Sequence, residues 1–420
     1  DAPDVAVVVA EDPRQALAGA AALWFGAQPD RVVAVTGTNG KTSVATFTRQ
    51  IWEQLGKPAV NLGTTGVEGT VQAPLAHTTP EPVTLHRVLR DCVRAGVTHA
   101  AMEASSHGLA QRRLDGVHLA AAAFTNISQD HLDYHADFDA YFNAKAGLFT
   151  RVLPEDGVAV INIDAPRGAA MAEVAAMRAR SIIRVGRGPD ADLRIIGQRF
   201  DPTGQDLRLE WAGRASQVRL PLIGGFQAEN AVLAAALVIA CGADPARVIE
   251  TLPQLSTVRG RMELAARRGN GAAVFVDYAH TPDAVMTALR ALRPHVMGRL
   301  VAIVGAGGDR DTTKRPLMGR AAAEHADAVL VTDDNPRSED PAAIRRAVLD
   351  GARGAGGYAI EVADRAEAIL RGVDMLGPGD ALLIAGKGHE TGQVVGDTVF
   401  PFDDAEQASL AVSALDGGVA

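Results

Sequence analysis

Residues 37–42, Gly-Thr-Asn-Gly-Lys-Thr, follow the apolar run 31–35 and open a segment with helical spacing. Glycines between a strand and a helix let backbone N–H groups approach phosphate oxygens, a lysine adds a point charge, and a neighbouring hydroxyl can ligate Mg2+. Gly37, Thr38, Asn39, Gly40, Lys41 and Thr42 therefore read as a nucleoside triphosphate loop, although Val35 stands where the full pattern has its first glycine. A tight turn entering a helix is the plain alternative. Glu103 ends the apolar run before "ASSHGLAQRRLDG", where an acid can hold Mg2+ or close a salt bridge. "FTNISQDHLDYH" (124–135) gathers Asn126, Asp130, His131, Asp133 and His135; its donors are mostly oxygens, which favours Mg2+ over zinc. Lys145 sits in the apolar segment "YFNAKAGLF", where the ordinary expectation is a lysine snorkelling to water. Thr78 and Thr79 in "HTTPEP" stand before a helix start, a capping position. "VLVTDDNPRSEDP" (329–341) presents Arg337 among acids: either a surface arginine paired with Asp334 or Glu339, or half of a pocket for a ligand carrying both charges.

These residues need a frame. From Arg31 onward, apolar strand-like runs alternate with helical patterns, which predicts an α/β fold with a mainly parallel sheet covered on both faces. The helix over 43–56 is expected to bury Val44, Phe47, Ile51 and Leu55, and another helix is expected from His131 to Phe149. Residues 192–222 alternate polar and apolar between turns and read as a small antiparallel patch. A second strand–helix series begins near Gly260, with runs at 272–279, 300–306, 327–334 and 380–388. The expected division is a short segment 1–27, a central nucleotide-binding domain 28–256, and a Rossmann-like α/β domain 257–420.

Composition limits the function. Aromatics are 4% and the formal net charge is −9, which argues against a nucleic-acid surface. Two cysteines, Cys92 and Cys241, build no disulfide framework and read as buried free thiols in a reducing cytosol. The longest apolar stretch, 231–241, is shorter than the roughly 20 residues a membrane-spanning helix needs, and no signal peptide is visible.

Taken together, "GTNGKT", "HTTP", "MEASSHGL", "FTNISQDHLDYH" with "AK" downstream, "GRME", "DYAHTPDA", "GGDRDTTKRPLMG", "DDNPR" and "AGKGHE" occur in this order. The series resembles the Mur ligases from about Val32 to the end of the chain, and within them the members that add the third peptide residue during peptidoglycan precursor synthesis. The resemblance implies a cytoplasmic, monomeric, ATP-dependent amide-bond ligase that acts through an acyl phosphate on UDP-N-acetylmuramoyl-L-alanyl-D-glutamate. It implies that the loop residues, Asn126, Asn230, Arg261, Asp277 and His280 bind ATP, and that domain closure excludes water from the intermediate. Thr42, Glu103, His131 and a carbamate formed on Lys145 by CO2 would hold Mg2+, with Lys41 among the catalytic groups. Thr78, Thr79, Ser105, Gln111 and Arg113 match the positions that bind the muramoyl dipeptide. Asp334, Asn335, Pro336 and Arg337, with Arg310, Gly386 and Glu390, match those that take meso-diaminopimelate. Arg337 and Arg310 would each meet a carboxylate, and Asp334 and Glu390 the distal ammonium. Segment 1–27 would be the remnant of a further domain that grips uridine in the family. Gln227 stands where relatives often carry asparagine. The rival readings are another ligase of the superfamily, such as folylpolyglutamate synthetase or the enzyme adding D-alanyl-D-alanine, and a plain P-loop ATPase or kinase. A catalytically silent binding module is a third.

Overall fold

The structure, a computed structural model, describes residues 9–128 and 134–417. Its backbone groups into two compact units. Among the described residues, one comprises those up to 199 with 206–221 and 227–256; the other comprises 200–205, 222–226 and those from 257 onward.

The first unit carries β1 (Arg31–Thr36), β2 (Ala59–Gly63), β3 (Gly66–Gly69), β4 (His99–Glu103), β5 (Leu119–Phe124), β6 (Val158–Asn162), β7 (Ser181–Gly186), β8 (Leu193–Asp201), β9 (Gly204–Trp211) and β10 (Arg214–Leu220). Their order across the sheet is β10-β9-β8-β7-β6-β5-β1-β4-β2-β3. Parallel pairing runs from β2 through β4, β1, β5, β6 and β7 to β8. β8, β9 and β10 are joined by turns too short for a crossover, so they form the antiparallel patch. β1 is buried from Val32 to Thr36, which explains its unbroken apolar run: helices cover both faces of a parallel sheet. The following helix, Lys41–Gln54, buries Val44, Phe47, Ile51 and Trp52; Leu55, expected on that face, is the half-buried C-cap instead.

Two expectations need correction. The helix foreseen from His131 begins in the described residues only at Phe138 and runs to Gly147, followed by a π-helical turn over Leu148–Val152. Asp137 stops it from starting earlier, because its side chain caps the helix by accepting from Ala140 N at 2.7 Å. Cys92 is buried, but Cys241 lies just past the helix Gly225–Ala240 and is only half-buried. Burial pushes both thiols up, to about 11 and about 12, so neither is a ready nucleophile.

The second unit carries β11 (Glu263–Arg267), β12 (Ala273–Asp277), β13 (Leu300–Val304), β14 (Ala328–Val331), β15 (Ala359–Glu361) and β16 (Ala381–Ala385), in the order β11-β12-β16-β13-β14-β15. All neighbours are parallel except β11 against β12. Alternate residues feed two cores: Phe275, Ala302, Val304, Val331 and Leu383 pack on one face, Val274, Val276, Ile303, Leu330 and Leu382 on the other. A separate hairpin, β17 (Gly392–Val395) and β18 (Thr398–Pro401), follows.

Candidate active site

Chain order and sheet order diverge at β1: β2 follows it in sequence, yet β4 and β5 are its neighbours in space. Such a switch opens a crevice at the carboxyl ends of the strands. The register sets Glu103 of β4 beside Val35, and Thr36 beside Phe124 of β5, so the loop 37–40 rises between Glu103 and the Thr125–Asn126 segment. Sequence neighbours could not reveal this, because the three stretches lie some sixty and twenty residues apart and meet only through strand pairing.

The loop is held from outside. Thr125 Oγ1 donates to Asn39 O at 2.6 Å, Asn39 N donates to Asn126 Oδ1 at 3.0 Å, and Thr38 N donates to Asn126 O at 3.0 Å. Gly37 has no room for a side chain, since a Cβ would sit 1.9 Å from Thr125 Oγ1; at Gly40 it would sit 2.5 Å from Asn230 Oδ1. Both glycines have positive φ. Asn230, forecast as an ATP contact, thus comes against the loop, with its amide donating to Gln227 Oε1.

Two lysines converge on one carbonyl. Lys41 Nζ donates to Gly37 O at 2.9 Å and Thr38 O at 2.8 Å, and Lys145 Nζ donates to Gly37 O at 2.8 Å. Lys145 is 1% exposed, so it does not snorkel. Its ammonium lies 4.4 Å from the centre of the Tyr141 ring, and Tyr141 Oη is 3.0 Å from Thr38 Oγ1. Tyr141 and Thr125 escaped the sequence reading; Tyr141 lies four residues before Lys145 on one helix face, a spacing that could have exposed it. Glu103 is buried at 2% exposure, its Oε1 accepting from Thr64 N at 2.8 Å. His131, with Asp130 and Asp133, lies outside the described residues. Among those described, no group of three or more His, Cys, Asp or Glu side chains is arranged to hold a metal.

The residues matched to the dipeptide site form one network. Thr78 Oγ1 and Thr64 Oγ1 are 3.1 Å apart, and Thr79 Oγ1 donates to Glu103 O while accepting from Ser105 N. Ser105 Oγ accepts from Gly108 N and caps the short helix Ser106–Ala110. Arg113 donates to Thr79 O and to Gln111 Oε1, and Gln111 donates to Tyr134 Oη. The capping expected of Thr78 and Thr79 is not found: Glu81 caps the helix Pro82–Arg94, its carboxylate accepting from Val83 N and Thr84 N, which leaves the two threonines to this network.

In the second unit, a cavity of about 340 Å3 lies where β12, β13, β14 and β16 end. Tyr278 and His280 enter it from β12, Gly307, Arg310 and Lys314 from β13, Asp334, Asn335 and Arg337 from β14, and Gly386 and Glu390 from β16. Arg337 adopts a left-handed φ of 51°, fixed by bonds from its N–H to Val394 O and from Gly396 N to its carbonyl. Its Nη1 donates to Gly308 O at 2.6 Å. The surface-pair reading loses its partners, because Glu339 is engaged by Arg315 and Asp334 faces Lys387. Lys387, within the noted "AGKGHE" motif, was not singled out from sequence, although it is fully buried beside Asp334, Asn335 and Glu390.

Arg261, Asp277 and His280 surround Tyr278: the Arg261 guanidinium is 4.6 Å from the ring centre and the His280 Nδ1 is 2.9 Å from Tyr278 O. Burial pushes the Asp277 carboxyl up to about 6, against the pull of Arg261 and of the Met262 N–H, which donates to it at 2.7 Å. The folded state therefore holds this proton where the unfolded chain, near the usual 3.8, has released it. Stability of the second unit should fall as pH rises from about 4 to about 6, by this group's contribution. Asp277→Asn should remove that slope. Hydrogen exchange of β12 amides between pH 4 and 7 reads it, and a slope equal in both proteins would contradict the assignment.

A model of the Mur ligase middle domain matches residues 35–238, and one of the Mur ligase glutamate ligase domain matches residues 260–388. The UDP-N-acetylmuramoyl-L-alanyl-D-glutamate--2,6-diaminopimelate ligase of Bradyrhizobium diazoefficiens is 50% identical over 98% of this chain and 85% of its own. The enzyme of the same name from Caulobacter vibrioides is 47% identical over 98% and 85%. A solved structure of a protein of that name is 35% identical, with a TM-score of 0.73 over 97% of this chain and 84% of that one. The Mycobacterium tuberculosis folylpolyglutamate synthase complexed with ADP shares the fold at 24% identity, with a TM-score of 0.72 over 89% of this chain and 92% of that one. With both matched domains occupied by the loop, the buried lysines and the charged cavity described above, this chain belongs to the Mur ligase family.

Proposed function

We infer that this protein is an ATP-dependent ligase that joins meso-diaminopimelate to the D-glutamate carboxylate of UDP-N-acetylmuramoyl-L-alanyl-D-glutamate, in peptidoglycan precursor synthesis. The observation that carries the choice of amine is the cavity of the second unit, where Arg310 and Arg337 face the same space as Asp334 and Glu390. A molecule with two carboxylates and two amines is the ligand such a lining suits. One amine is the nucleophile, and the other end remains a zwitterion.

The carboxylate is a poor electrophile without a leaving group. Transfer of the γ-phosphate gives an acyl phosphate and ADP; the neutral amine then attacks the acyl carbon, phosphate departs and the amine loses a proton. Loop N–H groups and Lys41 neutralise phosphate oxygens during transfer. Thr42, Glu103, His131 and a carbamylated Lys145 are assigned to Mg2+, which would supply further charge neutralisation at the phosphates. The glycine cradle and the buried Glu103 fit that role. Two ammonium groups on the Gly37 carbonyl favour the carbamate, because it converts one of two like charges into an anion and keeps an N–H for that carbonyl. Thr78, Thr79, Ser105, Gln111 and Arg113 are assigned to the dipeptide, and Asn126, Asn230, Arg261, Asp277 and His280 to ATP by their motif positions. No described helix is long and apolar enough to cross a membrane, and two free cysteines suit the cytosol.

The test is phosphate release from ATP with the muramoyl dipeptide, comparing meso-diaminopimelate with L-lysine. Release should depend on diaminopimelate. Arg337→Ala should cut its kcat/KM about tenfold to a hundredfold, the worth of a lost charged hydrogen bond of roughly 1.5–3 kcal/mol. Equal use of lysine by the unaltered protein would overturn the amine assignment, and release indifferent to any amine would overturn the ligase.

A further inference from the structure

Behind the Asp334, Asn335 and Glu390 lining of the cavity in the second unit lies a buried cation that the assigned ligand does not call for. Lys387, in the loop after β16, has a side chain 0% exposed. Its Nζ donates to Asn335 Oδ1 at 2.8 Å and lies 3.5 Å from Glu390 Oε2 and 3.6 Å from Asp334 Oδ1. Asn335 joins in, its Nδ2 donating to the same Glu390 Oε2 at 2.9 Å, and its Oδ1 also accepts from Val394 N at 2.9 Å. The two acids assigned to an incoming ammonium thus already face an ammonium of the protein. Arg365 adds no net charge, because it is closed against Asp404 in a fully buried pair.

We propose that Lys387 is a positioning residue that sets amine selectivity: by offsetting one of the two carboxylate charges, it leaves the cluster able to neutralise a single ammonium. The inference rests on the reading of this cavity as the amine site. With both acids ionised, Lys387, Asp334 and Glu390 together carry one negative charge. Meso-diaminopimelate, with two ammonium and two carboxylate groups, is neutral overall. L-Lysine lacks one carboxylate and carries a net positive charge, so a fixed buried cation opposes it more than it opposes diaminopimelate. Solvent screens such a charge little. At several ångströms and an effective dielectric constant near 20, one unit charge is worth a selectivity factor on the order of tenfold or more. The same lysine orients Asn335, which ties the β14 loop, Glu390 and the β17 strand together.

The test uses the full chain with Lys387→Met and Lys387→Gln. Calorimetric binding of each amino acid and kcat/KM for phosphate release are measured with meso-diaminopimelate and with L-lysine. The preference for diaminopimelate should fall about tenfold or more in both variants. Lys387→Met/Glu390→Gln, which restores a single negative charge and keeps an acceptor for Asn335, should return the preference towards that of the unaltered protein. A role in packing alone would weaken both amino acids together and leave the ratio unmoved in the single and double variants alike; that result overturns the proposal while the ligase stands. If the methionine variant does not fold, the glutamine variant carries the test, since it keeps a donor for Asn335. Binding of neither amino acid to the unaltered protein overturns the reading of the cavity and the proposal together.

Discussion

Lys41→Ala is expected to lower single-turnover phosphate release by about 10²–10³-fold, with the fold unchanged by circular dichroism. The size follows from what removal of one pre-aimed charge costs in a site of this kind, about 2.7–4 kcal/mol of transition-state stabilisation. Lys41 is pre-aimed because the carbonyls of Gly37 and Thr38 hold its Nζ at 2.9 and 2.8 Å, on a loop that Thr125 and Asn126 brace. Its ammonium need not reorganise when phosphate charge develops. Lys41→Arg tests geometry against charge: the cation survives, but a planar fork cannot reproduce both carbonyl contacts, so most of the rate should still be lost. A loss under tenfold in the alanine variant would remove Lys41 from the transfer step.

Asp404→Ala should destabilise the second unit by about 3–5 kcal/mol, because it strands a buried guanidinium. Arg365 and Asp404 are both 0% exposed and meet through two bonds of 2.7 Å, while Arg365 Nη2 also donates to Ala385 O at 3.1 Å. Replacing both partners with apolar residues of similar volume, Arg365→Met/Asp404→Leu, should recover most of the loss. Tryptophan fluorescence is blind to this change, since Trp24, Trp52 and Trp211 all lie in the first unit. Hydrogen exchange of β13 and β16 amides reads it, and protection unchanged in Asp404→Ala would refute the prediction. Because Ala385 immediately precedes Gly386 of the cavity, a loosened pair should also weaken amine binding.

Much of the fold was legible where one physical requirement dominated. Three strands buried on both faces, β1, β13 and β16, are continuous apolar runs and were read correctly, whereas β2, equally buried but interrupted by Asn61, was not. β11 and the β17–β18 hairpin were not read, because none of their residues is fully buried and they carry no such run. The missed β7 mixes exposed Ser181 and Arg184 into its pattern. The helix expected from His131 failed for a local reason: Asp137 is a better cap than an interior helix residue.

The sequence by itself determined the residue types of the chemistry: a glycine-lysine-threonine loop, an acid at a strand end, a lysine in an apolar helix and an arginine beside acids. It also determined their order, which carried the family. Only the tertiary structure decided their partners. Lys145 and Lys41 share the Gly37 carbonyl although 104 positions separate them, and Glu103 stands beside the loop through strand register. Arg337 turned out to belong to the cavity rather than to Glu339, and Lys387 to fill the space between Asp334 and Glu390. The reason is physical. A residue's type follows from its own chemistry, but its charge partner and dielectric surroundings are set by segments brought together only when the sheet closes around the end of each strand.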